Sequence, residues 1–188
     1  PSICDPGEHI VKAVKLSGHE VICIPGPSAA ITALVSSGMP SSNFVFVGFL
    51  PRKKGERERI LLEISESDKT TIIYESPKRL KKLLKELYKS CGGDREIDIS
   101  RELTKRFEEH IGNNVNEVID FFENKEILGE ITVVIKGKDK SINNTKPNEF
   151  DLKKELHDLI HAGLKLPEAS KYLAKKNNLK KSIIYNLY

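Results

Sequence analysis

Hydrophobic positions along the chain repeat with helical and strand spacing in turn. Apolar residues three to four positions apart predict helices at residues 8–17, 28–35, 57–65, 77–88 and 116–122. Shorter apolar runs predict strands at residues 21–24, 43–49, 70–74, 96–100 and 131–135. Because strands and helices alternate, we predict an α/β fold in which helices cover a mostly buried sheet.

The end of the chain has a different pattern. Residues 138–148 are polar except for Ile142, which predicts a linker. Beyond it, two helices are predicted at residues 149–162 and 167–176, and Ser182 begins a third. Three short helices suggest a helix-turn-helix whose last helix faces nucleic acid. We therefore predict an α/β domain over residues 1–140, a linker at 141–148 and a basic helix-turn-helix-like tail at 149–188.

Composition excludes several classes of protein. The 188 residues are 38% hydrophobic and 31% charged, as expected for one sizeable globular domain with a small appendage. No run approaches the ~18 apolar residues of a membrane span, so a membrane-embedded protein is not expected. Three cysteines without a C-x-x-C pair offer neither a disulfide framework nor a zinc knuckle. A reducing, cytoplasmic location fits best.

Charge is unevenly distributed along the sequence. Residues 151–188 contain eight lysines and four acidic residues, a net charge of +4, whereas residues 1–150 contain 23 basic and 23 acidic groups. This concentration of positive charge in the tail indicates a polyanionic partner, of which nucleic acid is the first candidate. A lysine-rich helix face is also a common way to keep a protein soluble.

The turn before the second helix is a candidate ligand site. Pro25-Gly26-Pro27 ends the strand predicted at 21–24, and Ser28 can cap the helix that follows. The N–H groups at such a helix start can bind a ligand carboxylate or another polar group. From this pattern alone, an ordinary α/β turn with small residues for close packing is the favoured explanation. Neither G-x-x-x-x-G-K-[ST] nor G-x-G-x-x-G occurs, which excludes those nucleotide-phosphate loops.

Three further clusters remain ambiguous from the sequence. Arg52, Lys53 and Lys54, followed by Arg57 and Arg59, form a basic loop that either contacts phosphate or is simply solvated. Charges of both signs around Glu102 and Lys105 follow a predicted strand, where ligand-binding groups collect, but a surface ion-pair network is an equal alternative. His157 and His161 lie four residues apart without a third ligand, so no metal site is expected.

Five segments, in their order, resemble a known family. They are P-S-I-C-D-P-G at residues 1–7, P-G-P-S-A-A-I-T-A-L at 25–34, G-F-L-P-R-K at 48–53, Y-E-S-P-K-R-L at 74–80 and R-E-L-T-K at 101–105. Together they resemble the small-subunit ribosomal RNA methyltransferase I family of the tetrapyrrole methylase superfamily. The resemblance covers nearly the whole chain, including the lysine-rich tail.

The resemblance implies a fold and an activity. The fold would be the C-terminal domain of a tetrapyrrole methylase, a mixed sheet with covering helices, followed by the helical tail. The activity would be S-adenosylmethionine-dependent 2′-O-methylation of a cytidine in the decoding region of 16S rRNA, within the small ribosomal subunit, by a homodimer. Family members also carry an N-terminal domain with T-P-I-G-N and D-A-G-T segments before the position of Pro1. Half of the cofactor cleft would then lie outside these 188 residues, and we expect them to be inactive alone.

The resemblance also implies site residues. The implied cofactor contacts are Ile3, Ser28, Ala29, Glu75 and Leu103. Candidates for assisting proton removal from the ribose hydroxyl are Glu75, Glu102 and Lys105, with no base assigned among them and no metal required. The implied RNA contacts are Arg52, Lys53, Lys54, Lys175, Lys176, Lys180 and Lys181. Two positions depart from the family pattern, because Lys78 replaces a usual His and Cys4 replaces a usual Ser or Asn.

Two other functions stay open at this level. A cobalamin-pathway precorrin methylase would share the superfamily fold, but the basic tail and the G-F-L-P-R-K segment argue against it. A helix-turn-helix regulator whose α/β part senses a metabolite would also explain a basic tail.

Overall fold

The computed structural model describes residues 1–139, 149–177 and 179–188. The chain divides into two compact units, residues 1–138 and residues 139–188. The linker predicted at residues 141–148 lies outside the described residues, so the predicted domain boundaries stay a prediction.

The first unit alternates helices and strands along the sequence. Its helices are α1 Glu8–Leu16, α2 Ala29–Ser37, α3 Lys54–Glu66, α4 Pro77–Cys91 and α5 Val115–Phe122. Its strands are β1 Phe44–Phe49, β2 Thr70–Glu75, β3 Glu96–Arg101, β4 Glu109–Asn114 and β5 Ile131–Ile135. Pro77 lies at the first turn of α4, where a missing N–H costs the helix nothing.

The five strands form one mixed sheet in the order β1-β2-β5-β3-β4. Strands β1 and β2 are parallel, whereas β5 pairs antiparallel with both β2 and β3, and β4 pairs antiparallel with β3. The predicted α/β class and mixed sheet are therefore confirmed.

Helices cover the two faces of the sheet unequally. Alternate residues of β2 point to opposite faces, so that Ile73 packs in one hydrophobic cluster and Ile72 in another. The larger cluster contains the apolar faces of α3, α4 and α5, whereas the smaller one holds Ala30, Ala33 and Leu34 of α2. The small alanines let α2 lie close to the sheet, which brings its N-terminus to the ends of the central strands.

Two predictions about strands are corrected. Residues 21–24 form no strand, and Val21, Ile22 and Ile24 are exposed, because β1 pairs with β2 alone and no described strand accepts this run. Strand β4 was not predicted, since its sequence E-H-I-G-N-N contains a single apolar residue. It forms because its partner β3 supplies a complete antiparallel ladder from Glu96 to Arg101.

The described residues of the second unit form three helices, α6 Glu149–His161, α7 Leu166–Lys176 and α8 Lys181–Tyr185. Leu156, Leu173 and Ile184, one from each helix, meet in a small hydrophobic core. The helix-turn-helix-like character of the tail stays a prediction. None of the helices in the described residues is long and apolar enough to cross a membrane.

Candidate active site

An open cleft of about 520 Å³ lies where β1 and β2 end. Phe49 closes β1, and Tyr74 and Glu75 close β2. Ala29 enters from the start of α2, and Ser76 and Pro77 from the start of α4. The cleft lies outside the carboxyl ends of parallel strands, where ligands bind in open α/β sheets. Its volume is within the ~300–1,000 Å³ typical of small-molecule sites.

Other lining residues come from segments distant in sequence. The antiparallel register places Thr132 beside Tyr74 and Ile131 beside Glu75. Gly129 and Glu130 precede this strand, and Ile3, Cys4 and Asp5 add an N-terminal segment. The cleft therefore has both apolar and polar surface.

Glu75 is the buried anchor of the cleft, with 2% of its surface exposed. Its Oε1 lies 2.6 Å from Nη2 of Arg79 in an ion pair and accepts a hydrogen bond from the Ser76 backbone N–H at 2.8 Å. Its Oε2 lies 3.4 Å from Nη2 of Arg57. A buried carboxylate needs such partners, because desolvation of an unpaired charge is costly. Glu75 thus joins β2, α3 and the first turn of α4.

Arg57 corrects the interpretation of the basic loop. The sequence analysis placed Arg57 in a basic loop, but the structure buries it between Glu75 and Glu86. Arg57 Nε donates a hydrogen bond to Glu86 Oε2 at 2.7 Å. Its position four residues before Leu61 places it on the inward face of α3. Arg57 supports the cleft and is not a surface phosphate contact.

Tyr74 provides an aromatic wall. Its ring packs edge to face against Phe46 at a centroid distance of 5.0 Å and against Phe49 at 5.7 Å. Burial raises the pKa of the Tyr74 phenol, and the hydrogen bond from the Ala30 backbone N–H opposes that rise. Tyr74 also packs against the smaller hydrophobic cluster, which links the start of α2 to the end of β2.

The loop after β3 reaches the cleft through Glu130. Lys105 Nζ lies 2.9 Å from Oε1 of Glu102 and 3.1 Å from Oε2 of Glu130. The Glu102 backbone N–H donates to the Glu130 backbone carbonyl, and the Glu130 backbone N–H donates to Glu102 Oε1. Glu102 adopts a left-handed backbone with φ of 51°, as does Thr104 with φ of 65°. This loop is a self-bonded turn at the rim of the cleft.

These bonds shift the titration of Glu102 and Lys105 in opposite directions. The Glu130 N–H, and after it Lys105, lower the pKa of the Glu102 carboxyl. Hydrogen bonds to Glu102 and Glu130 raise the pKa of Lys105. Both groups are therefore charged at neutral pH. A general base works best with a pKa near the operating pH, so this arrangement suits ion pairing more than proton removal.

Three of the five residues predicted to contact a cofactor line the cleft, namely Ile3, Ala29 and Glu75. Ser28 is the N-cap residue of α2, directly before Ala29, but its side chain makes no capping hydrogen bond and it is not part of the wall. Leu103 packs against the smaller hydrophobic cluster beneath α2. Three of the predicted residues thus line one cleft, a fourth directly precedes the lining residue Ala29 and the fifth packs against the cluster beneath α2, while their roles in cofactor binding stay predictions.

The predicted RNA contacts lie in both compact units. Arg52, Lys53 and Lys54 are exposed at the start of α3, where Lys53 and Lys54 form ion pairs with Glu56 and Glu58. The four tail lysines are exposed at the end of α7 and the start of α8, and Lys176 pairs with Glu155. They are Lys175, Lys176, Lys180 and Lys181.

Several cleft residues were missed by sequence reasoning. Phe49 and Tyr74 have a signal, because they are the last aromatic residues of two predicted strands. Glu130 and Thr132 carry no such sequence signal, because their position in the cleft depends on a strand pairing that spans more than fifty residues. Within the described ranges, no group of three or more His, Cys, Asp or Glu side chains could hold a metal ion.

Comparisons with known proteins agree with the geometry. The family model for Tetrapyrrole (Corrin/Porphyrin) Methylases matches residues 1–119. The whole chain is 36% identical to the Ribosomal RNA small subunit methyltransferase I of Halalkalibacterium halodurans and 37% identical to that of Bacillus subtilis, in each case covering 65% of the relative. The Thermotoga maritima protein of the same name is 44% identical over 74% of this chain and 62% of its own length. The chain thus spans about 65% of the length of these first two relatives.

Solved structures share the fold at low sequence identity. A cobalt precorrin-4 methyltransferase aligns with a TM-score of 0.52 at 14% identity, over 68% of this chain and 56% of that one. A uroporphyrin-III-C-methyltransferase from Thermus thermophilus aligns with a TM-score of 0.50 at 16% identity, over 72% and 60%. The resemblance seen in the five sequence segments is therefore confirmed, and the chain belongs to the tetrapyrrole (corrin/porphyrin) methylase family.

Proposed function

We propose that the protein transfers a methyl group from S-adenosylmethionine to the ribose 2′-hydroxyl of a cytidine in the decoding region of 16S rRNA. The observation that carries this proposal is the similarity over the entire chain, tail included, to relatives named as small-subunit rRNA methyltransferases. A ribosomal substrate also implies a cytoplasmic location. A homodimer remains part of the proposal.

The cleft fits an adenosyl ligand in its size and its wall. Ala29 is small and exposed at the start of α2, so the backbone there is accessible to a ligand. Apolar side chains of Ile3, Phe49 and Ile131 offer contact area, and Ser76 and Thr132 offer polar groups. When bound, S-adenosylmethionine would supply the methyl group from its sulfonium.

The role of this chain would be to position the reactants. Methyl transfer requires an in-line approach of the ribose oxygen, so alignment contributes strongly to the rate. Glu75 holds the starts of α3 and α4 against the end of β2, which fixes the geometry of the wall. Glu75, Glu102 and Lys105 stay candidates for assisting proton removal, although each is already ion-paired.

The experiment that tests this proposal measures tritium transfer from labelled S-adenosylmethionine by the full-length protein. Its acceptors are small ribosomal subunits, protein-free rRNA, duplex DNA and a tetrapyrrole carboxylate. We expect label in small subunits, recovered after nuclease digestion as 2′-O-methylcytidine from the decoding region. Label in the tetrapyrrole would favour the precorrin methylase alternative, and label in no acceptor together with DNA binding would favour the regulator.

A further inference from the structure

The outer face of α4 carries an uninterrupted row of lysines. At about 100° of rotation per residue, five lysines occupy an arc of about 100°. Four buried leucines lie on the opposite side, in the larger hydrophobic cluster: Leu80, Leu83, Leu84 and Leu87. All five lysines are exposed, and we call them the lysine row: Lys78, Lys81, Lys82, Lys85 and Lys89.

This helix is a local concentration of charge within a neutral region. It contains six basic residues and one acidic residue, a net charge of +5. Residues 1–150 as a whole have balanced charge, so their sum conceals the row. The row therefore gives the first unit a positive surface comparable to that of the tail.

Few partners neutralise the row. Lys82 lies 3.8 Å from Glu86, but that carboxylate also accepts the shorter hydrogen bond from Arg57. Lys81 donates to the backbone carbonyl of Glu123 at 3.0 Å. In the part of the chain that the structure describes, Lys78, Lys85 and Lys89 form no ion pair. Their charges are available to an external anion.

The row begins at the candidate active site. Ser76 and Pro77 line the cleft, and Lys78 is the next residue of α4. From Lys78 to Lys89 the helix rises roughly 16 Å at 1.5 Å per residue. The row therefore leads from the rim of the cleft along the surface of the first unit.

We propose that the lysine row binds the phosphate backbone of the RNA whose ribose enters the cleft. This inference rests on the proposed function and adds a binding surface to it. Lysine is a point-charge partner for phosphate, and phosphate contacts fix register without reading sequence. The path of the RNA would then be set by a surface that starts at the site of transfer.

Solubility alone explains the row poorly. Like charges at positions i and i+4 oppose helix formation, and the row contains three such pairs: Lys78 with Lys82, Lys81 with Lys85, and Lys85 with Lys89. Charges of mixed sign keep a surface soluble without that cost. Exposed α3 shows this alternative, because its Lys54 and Arg59 pair with Glu58 and Glu63.

The test replaces Lys78, Lys82, Lys85 and Lys89 with Gln in the full-length protein. Lys81 is left in place because it bonds to the backbone of Glu123. The matched control replaces four exposed lysines elsewhere with Gln: Lys12, Lys15, Lys69 and Lys154. A second variant replaces the same four row residues with Arg, which keeps the charge.

Affinity is measured against salt concentration for small ribosomal subunits and for protein-free small-subunit rRNA. Each lost phosphate contact lowers the slope of log affinity against log salt by ~0.7 to 0.9, so the Gln variant should lose about 3 from the slope and bind roughly tenfold or more weakly near 0.15 M salt. The Arg variant and the control should keep the slope. S-adenosylmethionine affinity and the melting temperature should not change in any of them.

An unchanged slope in the Gln variant, or an equal loss in the control, would overturn the inference. Failure of the proposed function looks different, because the unsubstituted protein would then methylate no rRNA. RNA binding is measured independently of methylation. The slope of log affinity against log salt therefore tests the lysine row whether or not the protein methylates rRNA.

Discussion

Helix α4 presents charge in two contrasting settings. At its first turn, Arg79 joins Arg57 around Glu75, and the side chains of Arg57 and Glu75 are 5% and 0% exposed. On its outer face, Lys82 is 69% exposed and only loosely paired. One residue of α4 therefore joins a buried charge cluster with α3 and β2, whereas another carries its charge in solvent.

The difference follows from desolvation. A charge removed from water must gain partners in the fold, so each buried group near Glu75 has a defined place. An exposed lysine keeps its water and gives little stability through a surface pair. Buried charges therefore shape the wall of the cleft, whereas exposed charges remain free to attract a polyanion.

The largest expected effect comes from removing the buried carboxylate. Glu75→Ala leaves Arg79 without its partner and Arg57 with Glu86 alone. Breaking a buried pair costs about 3–5 kcal/mol of unfolding free energy. For a protein of this size that corresponds to a melting temperature lower by on the order of 10 °C, measured by calorimetry.

Its matched control is an exposed pair with the same separation. Arg59 and Glu63 lie 3.3 Å apart, against 3.4 Å for Arg57 and Glu75, but both side chains are mostly exposed. We expect Glu63→Ala to cost less than about 0.5 kcal/mol. Equal losses in the two variants would show that burial does not separate the two settings.

The next effect concerns the space in front of α2. Ala29→Leu adds bulk at an exposed helix start, where Leu is a good helix former, so the melting temperature should hardly change. If the adenosyl group binds against this residue, calorimetric titration should show at least a tenfold loss of S-adenosylmethionine affinity.

Ala33→Leu is the control for this change, because Ala33 is fully buried beneath the same helix. Overpacking there should cost about 1–3 kcal/mol while leaving cofactor affinity nearly unchanged. Normal cofactor binding by Ala29→Leu, or early melting of that variant, would favour the interpretation of this turn as core packing.

The two settings also show what a sequence can predict. The alternation of helices and strands was legible because most elements bury one face, as the leucines of α4 do. The predicted strand at residues 21–24 was wrong because an apolar run needs a partner strand, and the run itself does not reveal whether one exists.

Candidate residues were predictable only where a motif marks them. Ala29 and Glu75 lie in segments with a family pattern, and both line the cleft. Arg57 was misplaced because its burial depends on two distant carboxylates, Glu75 and Glu86. The lysine row was overlooked because net charge was summed over 150 residues, in which acidic residues elsewhere cancel it.

A smaller effect should distinguish the lysine row from the tail. Changing Lys175, Lys176, Lys180 and Lys181 to Gln should lower the salt slope of RNA binding by at most about 3, with cofactor affinity unchanged. Because Lys176 already pairs with Glu155, its contribution to the salt slope should be the smallest of the four. Lys176→Gln alone, measured beside Lys175→Gln, tests this ranking, and an unchanged slope in the fourfold variant would make the tail lysines a solvated surface.

The smallest effect tests the ion pair between Glu102 and Lys105 at the rim of the cleft. The pKa of Glu102 is lowered in the fold, first by the Glu130 N–H and then by Lys105. A lowered pKa contributes stability that is present above the unfolded value and is lost as pH falls through the folded value. As pH falls below the ordinary glutamate pKa, this contribution to the melting temperature should be lost, and Glu102→Gln should flatten the acid side of the melting curve slightly.

Because the backbone bond is the larger cause, Lys105→Gln should keep most of the acid sensitivity that Glu102→Gln removes. Lys105 is protonated throughout this pH range, so its own titration adds nothing to the curve. If Lys105→Gln flattens the melting curve as much as Glu102→Gln does, the ion pair rather than the backbone N–H holds the carboxylate. The rim of the cleft would then be organised by paired charge, as the buried cluster around Glu75 is.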